Sequence, residues 1–195
     1  MVHIRLEEIE KFAKDNNIPI MQKDGIDFLC NYIKENNIKN ILEIGSAIGY
    51  SAIKMALVNS NIKITTIERD KDRYDLAKKS INDFKPNNQI NIILEDALNV
   101  ELNNTYDLIF IDAAKSQYIK FFEKFEKNLN IGGVIVTDNL SFHGLVEDDS
   151  KTKNRNTKQL VRKIRTYIEY LKNNDKYDTI FYKLGDGVSI SKKKV

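Results

Sequence analysis

The residues best equipped for chemistry are oxygen donors placed where short apolar runs end. Asp112 closes the run Ile109-Phe110-Ile111, and Asp138-Asn139 closes Val134-Ile135-Val136-Thr137. Two carboxylates and a carboxamide oxygen at neighbouring strand ends suit a hard divalent cation that keeps positions open for water and substrate. A lone acid at a strand end is often a helix cap, and this is the alternative for Asp138 taken by itself. The chain has one cysteine, Cys30, and two histidines, His3 and His143. That excludes an internal disulfide, a Cys-based zinc cluster and a multi-histidine metal site. Any metal must be held by oxygen, as Mg²⁺, Ca²⁺ or Mn²⁺ would be. Lys115, three residues after Asp112, could take a proton or stabilise an oxyanion; its alternative is a solvated lysine at a helix start. His143 is expected in a loop near substrate rather than as a ligand.

A second constellation lies upstream. The run Glu43-Ile44-Gly45-Ser46-Ala47-Ile48-Gly49-Tyr50-Ser51 leaves a strand and enters a helix. Its glycines let the backbone turn sharply and approach a ligand at the carboxyl edge of a parallel sheet. The spacing is G-x-x-x-G, so neither the dinucleotide pattern nor a P-loop is present. Glu68 ends the following strand, where an α/β nucleotide site puts a carboxylate for the ribose hydroxyls. Together they point to a nucleoside ligand without a pyrophosphate. S-adenosylmethionine fits, and its sulfonium tolerates acids such as Asp96 and Asp112. The alternative for Gly45 alone is a tight turn.

The elements that must position these groups alternate in type. Asn40–Ile44, Ile62–Ile67, Ile90–Leu94, Tyr106–Ile111 and Ile131–Thr137 are brief, Ile- and Val-rich, and read as buried parallel strands. Amphipathic helices are expected at Leu6–Asn16, Lys23–Glu35 and Asp70–Phe84. Further helical faces are carried by Tyr118, Phe121, Phe122, Phe125 and Leu129, and by Leu160 to Leu171. Thr179–Leu184 and Val188–Ser191, joined by Gly185-Asp186-Gly187, read as an antiparallel hairpin. The expectation is one α/β domain over residues 1–195, with helices on both faces of the sheet.

With 31 Lys+Arg against 28 Asp+Glu, the net charge of +3 says little about partners until its distribution is considered. Lys151, Lys153, Arg155, Lys158, Arg162, Lys163 and Arg165 fall within one acid-free stretch, and Lys192-Lys193-Lys194 add a basic tail. Such a patch could follow RNA phosphates; the alternative is the solvated face of an amphipathic helix. No apolar run approaches the ~18–20 residues that span a bilayer, and the N-terminus lacks a signal-peptide core. A soluble, cytoplasmic setting is expected.

The joint motif set, Ile41–Met55, Glu68, Ile111-Asp112-Ala113-Ala114-Lys115 and Thr137-Asp138-Asn139, resembles the cation-dependent O-methyltransferase family, which includes catechol and caffeoyl-CoA methyltransferases. Within it, four features are similar to the bacterial tRNA 5-hydroxyuridine methyltransferases: Ile18-Pro19-Ile20-Met21, Ala47–Ile53, Lys115 with Gln117-Tyr118, and the ending Gly185 to Lys194. The resemblance implies a Rossmann-like methyltransferase fold with a seven-stranded, mostly parallel sheet. It implies Mg²⁺ (or Mn²⁺) on Asp112, Asp138 and Asn139. It further implies S-adenosylmethionine against Met21, Gly45, Ser51, Glu68, Asp96, Ala97 and Asp112, with Asp112 and Lys115 catalytic. The implied acceptor is 5-hydroxyuridine at wobble position 34 in the tRNA anticodon, giving 5-methoxyuridine; the basic stretch read above, through Lys153, Arg155, Lys158 and Arg162, is then expected to touch RNA. A homodimer is compatible with this. The alternatives are methylation of small catechol-like or phenolic acceptors, and a methyl-donor-binding interaction module without catalysis.

Overall fold

The computed structural model describes residues 6–84 and 88–194, so His3 lies outside it. Seven strands form one sheet: β1 (Asn40–Ile44), β2 (Lys63–Glu68), β3 (Ile90–Leu94), β4 (Tyr106–Ile111), β5 (Leu129–Thr137), β6 (Tyr177–Tyr182) and β7 (Val188–Lys193). Their order is β3-β2-β1-β4-β5-β7-β6. β7 runs antiparallel to both of its neighbours, while β1 to β5 pair in parallel. This is the Rossmann-like arrangement expected, with the C-terminal hairpin inserted so that β7 meets β5.

Alternation along the central strands sorts the core into two layers. Leu108 and Phe110 face the layer covered by α1 (Leu6–Asp15), α2 (Lys23–Glu35), α3 (Tyr50–Ala56) and α4 (Lys71–Phe84). Ile109 and Ile111 face α5 (Tyr118–Phe125) and α6 (Arg155–Lys172). Strands buried on both faces favour apolar residues, as in Leu108-Ile109-Phe110-Ile111 of β4 and Val134-Ile135-Val136 of β5. No helix among the described residues is long and apolar enough to cross a membrane.

Several boundaries differ from expectation: β2 covers Lys63–Glu68 rather than Ile62–Ile67, β5 starts at Leu129 rather than Ile131, β7 runs to Lys193 rather than Ser191, and α1 ends at Asp15 rather than Asn16. The apolar face read through Leu129 stops at Phe125, a 3-10 turn follows over Glu126–Asn128, and Leu129 opens β5. The Asn128 amide donates to the carbonyls of Leu102 and Asn104, pinning the chain to a neighbouring loop and ending the helix. β6 begins at Tyr177 and ends at Tyr182, because Leu184 belongs to the hairpin turn, its carbonyl accepting from the Gly187 N–H. Asp70 lies one residue outside α4 and caps it, Oδ1 accepting from the Arg73 N–H at 3.0 Å.

Candidate active site

The carboxyl ends of β1, β2, β4 and β5 open onto a cavity of about 600 Å³, within the size range of small-ligand sites. This is the edge that topology favours, since β1 and β4 diverge to opposite sides and leave a crevice between their loops. Gly45, Glu68, Asp96, Ala97, Asp112, Lys115, Asp138 and Asn139 all line it. Eight residues from five separate stretches of sequence thus meet in one chamber.

At the loop after β1 the chain passes against the end of β4. Gly45 has φ +98°, and a Cβ there would sit 2.3 Å from the Asp112 carbonyl oxygen. Only glycine satisfies both the left-handed backbone and the close approach. Glu68 holds the loop from β2: one carboxylate oxygen accepts from the Ala47 N–H at 3.0 Å, the other from the Asp70 N–H at 2.9 Å. Beneath the loop Glu43 is fully buried and accepts from the hydroxyls of Ser51 and Thr66, and Ser46 shares a further hydroxyl contact with Thr66. Burial pushes the Glu43 carboxyl up to about 7, against the two hydroxyls that favour its charge.

The oxygen cluster stands at the ends of β4 and β5. The Asn139 amide nitrogen lies 2.9 Å from Asp138 Oδ2 and 3.3 Å from Asp112 Oδ1, so one carboxamide joins both acids. Asp138 is buried, and its main-chain carbonyl accepts from the Tyr118 hydroxyl at 3.0 Å. Tyr118 packs on Tyr167, whose hydroxyl contacts Thr137 Oγ1 at 2.7 Å, so an aromatic layer beneath the sheet fixes this strand end. Burial raises both carboxyls above the usual carboxylate range, and the charge of Asp112 raises Asp138 further; Lys115 opposes the rise at both. Among the described residues no trio of His, Cys, Asp or Glu is poised to hold a metal. The candidate set here is two acids plus an amide, an oxygen-rich group lining the cavity that suits a hard divalent cation.

The cavity is also lined by Lys115, Gln117, Phe142, His143 and Asp186. Lys115 Nζ lies over the Phe142 ring, 5.7 Å from its centroid, a cation–π contact. Phe142 stacks on His143 with ring centroids 5.7 Å apart. Sequence reasoning passed over Asp186, because Gly185-Asp186-Gly187 was fully accounted for as a turn. It also passed over Phe142, and over Arg69 and Arg73, which line the cavity beyond Glu68. Arg69 lies 3.5 Å from Asp96 Oδ2; its position directly after Glu68 was the available signal.

Two expected donor contacts stand apart from this chamber. Met21 is buried, whereas its neighbours Pro19, Ile20 and Gln22 line the cavity. Ser51 lies beneath the loop, engaged with Glu43. In the basic stretch, Lys153, Arg155, Arg162 and Lys163 are exposed and Lys158 is half-buried. Arg165 is paired with Asp149 at 3.1 Å, while none of the other six has an ion-pair partner among the described residues. The basic tail is less free than it reads: Lys193 donates to the Glu126 carbonyl and Lys194 pairs with Asp178.

Comparison with known proteins gives a consistent result. The sequence profile described as O-methyltransferase matches residues 2–194. The chain is 30% identical over 208 residues to a caffeoyl-CoA O-methyltransferase of Populus kitakamiensis, spanning 98% of this chain and 87% of that protein. A candidate caffeoyl-CoA O-methyltransferase from Staphylococcus aureus has a similar structure, with TM-score 0.92 and 40% identity over 97% of this chain and 92% of that one. An O-methyltransferase from Bacillus cereus, solved in complex with SAH, gives TM-score 0.82 and 27% identity over 97% and 90% of the two chains.

Proposed function

The chain belongs to the O-methyltransferase family, and on that premise we propose that it transfers the methyl group of S-adenosylmethionine to a hydroxyl oxygen with the help of a divalent cation, Mg²⁺ foremost. The observation that carries this reading is one cavity shared by the Glu68-braced glycine loop and the Asp112, Asp138 and Asn139 oxygens. The loop and Glu68 suit the nucleoside end of the donor, with Asp96 and Ala97 beyond them. SAH, the demethylated donor, is the ligand of the Bacillus cereus relative.

A cation on Asp112, Asp138 and Asn139 would acidify a hydroxyl and orient an acceptor with two adjacent oxygens. The remaining work falls to the chain itself. Gly45 lets the loop pack against the Asp112 backbone, which keeps the donor loop beside the oxygen cluster. Lys115 offers a charge to the developing oxyanion, or receives its proton, while the Phe142 ring below it supplies an apolar wall. Tyr118 holds the Asp138 backbone in register.

The acceptor we favour is 5-hydroxyuridine at the wobble position of tRNA. Six cations without ion-pair partners, on and before α6, support a polyanionic partner, and α6 packs against the Lys115–Gln117 turn of the cavity wall. A second reading, methylation of small catechol-like or phenolic acceptors, is supported by the caffeoyl-CoA O-methyltransferase relatives. Nucleoside mass spectrometry of tRNA from a deletion strain separates the two. Loss of 5-methoxyuridine with accumulated 5-hydroxyuridine supports the tRNA reading, and an unchanged nucleoside profile removes it.

A further inference from the structure

The hairpin turn between β6 and β7 does more than reverse the chain: it clamps the loop that follows Asn139. The Gly187 carbonyl accepts from the Leu140 N–H at 3.0 Å, and the Asp186 carbonyl accepts from the Ser141 N–H at 2.7 Å. A Cβ on Gly187 would come within 2.8 Å of the Ser141 nitrogen, so the two segments are in close backbone contact. Held this way, Phe142 and His143 adopt left-handed backbone conformations with φ +48° and +58°. Non-glycine residues persist there only when their surroundings over-determine them.

Asp186 supplies the last constraint and leaves one atom unused. It is 5% exposed, and its Oδ1 accepts from the His143 N–H at 2.5 Å. Its Oδ2 is buried without a hydrogen-bond partner and lies 3.6 Å from His143 Nδ1. A buried carboxylate oxygen left unpaired is unfavourable. A small rotation of the imidazole, whose side chain is 70% exposed, brings Nδ1–H into range and satisfies it. That contact would place a proton on Nδ1 and, in the neutral imidazole, leave Nε2 as an acceptor. Both residues line the cavity, as do Lys115 and Phe142.

We propose that His143, oriented by Asp186, is a specificity-determining residue whose Nε2 accepts a hydrogen bond from a ring N–H of the acceptor. The class selected is a planar heterocycle with an N–H beside its two adjacent oxygens, flanked by the Phe142 ring. A hydroxypyrimidine carries that N–H; a catechol has C–H there and offers Nε2 nothing. The inference rests on the reading of 5-hydroxyuridine as acceptor, and deepens it. Asp186 acts through His143 and is a positioning residue.

The test is steady-state methyl transfer to a stem-loop RNA carrying 5-hydroxyuridine and to the same RNA carrying its N3-methyl analogue. Wild type, His143→Ala, His143→Gln and Asp186→Asn are compared with Mg²⁺ and S-adenosylmethionine present. Wild type is expected to prefer the N–H substrate by about tenfold in kcat/KM, the worth of one hydrogen bond in a partly open site. His143→Ala abolishes that preference while donor Kd stays within about twofold of wild type. His143→Gln, whose carboxamide oxygen can accept, restores part of it, and Asp186→Asn weakens it. Since the His143 side chain is exposed, His143→Ala remains decisive should Asp186→Asn fail to fold. If wild type methylates neither RNA, the acceptor reading fails and takes this inference with it. If wild type methylates the RNA but His143→Ala keeps the preference, the acceptor reading stands and the role of His143 is overturned.

Discussion

Replacing Glu43 by glutamine is expected to change how stability depends on pH, and the size of the effect follows from its burial. Glu43 is fully enclosed beneath the glycine loop and ionises at about 7 instead of its ordinary 4.5, with burial the largest cause. Below about pH 4.5 the carboxyl is neutral in both folded and unfolded chains and contributes no difference. As pH rises past that point the unfolded chain releases the proton while the folded chain retains it, so stability falls. The fall is complete once pH passes about 7, and the interval corresponds to about 3 kcal/mol. Asp112 and Asp138 are also raised and slope in the same direction, so the informative quantity is the difference between wild type and Glu43→Gln. Urea unfolding with chelator present, from about pH 5 to about pH 8, measures it. The variant is expected to gain on wild type across that range by about 3 kcal/mol. Two parallel curves would refute the placement of an enclosed, high-pKa carboxyl under the loop.

Further outcomes follow from the same geometry. Gly45→Ala forces a Cβ against the Asp112 carbonyl in a left-handed conformation; it should destabilise by about 3 kcal/mol and abolish donor binding by calorimetry. Asp138→Ala should remove cation-dependent turnover while donor Kd changes by less than about threefold, and equal losses in both would contradict the division of the cavity. Replacing Arg155, Lys158 and Arg162 together by glutamate should weaken tRNA binding and reduce the slope of log K against log salt by about three. Turnover of a small catechol should be left intact by that triple change. An unaltered salt slope would assign the patch to solvent alone.

Legibility in the sequence followed physical context. β1, β3 and β4 have the bounds expected of them because their short Ile- and Leu-rich runs are bracketed by polar or turn residues. The residues that line the cavity were visible for a related reason: Glu68, Asp112 and Asp138 each stand at or directly after such a run, at the edge that topology brings together. Local patterns misled where tertiary contacts take over. Leu129 fits the helical face of α5, yet Asn128 is bonded to a distant loop and the helix cannot continue. Glu43 reads as the start of a glycine loop, and nothing local reveals that two hydroxyls and total burial surround it. Asp186 and Phe142 escaped for another reason. Asp186 already had a sufficient explanation as a turn residue, and its meeting with the Phe142-His143 loop across about forty residues of chain is a product of β7 inserting beside β5.

The most direct test of the central claim is transfer of isotope-labelled methyl from S-adenosylmethionine by the purified chain, using tRNA that carries 5-hydroxyuridine. It should be measured with Mg²⁺, with excess chelator, and with the chelator overcome by added Mg²⁺. The account predicts labelled 5-methoxyuridine in the first and third conditions, none in the second, and none in any condition for Asp138→Ala. Undiminished transfer in chelator, or in that variant, would contradict a cation site at Asp112, Asp138 and Asn139.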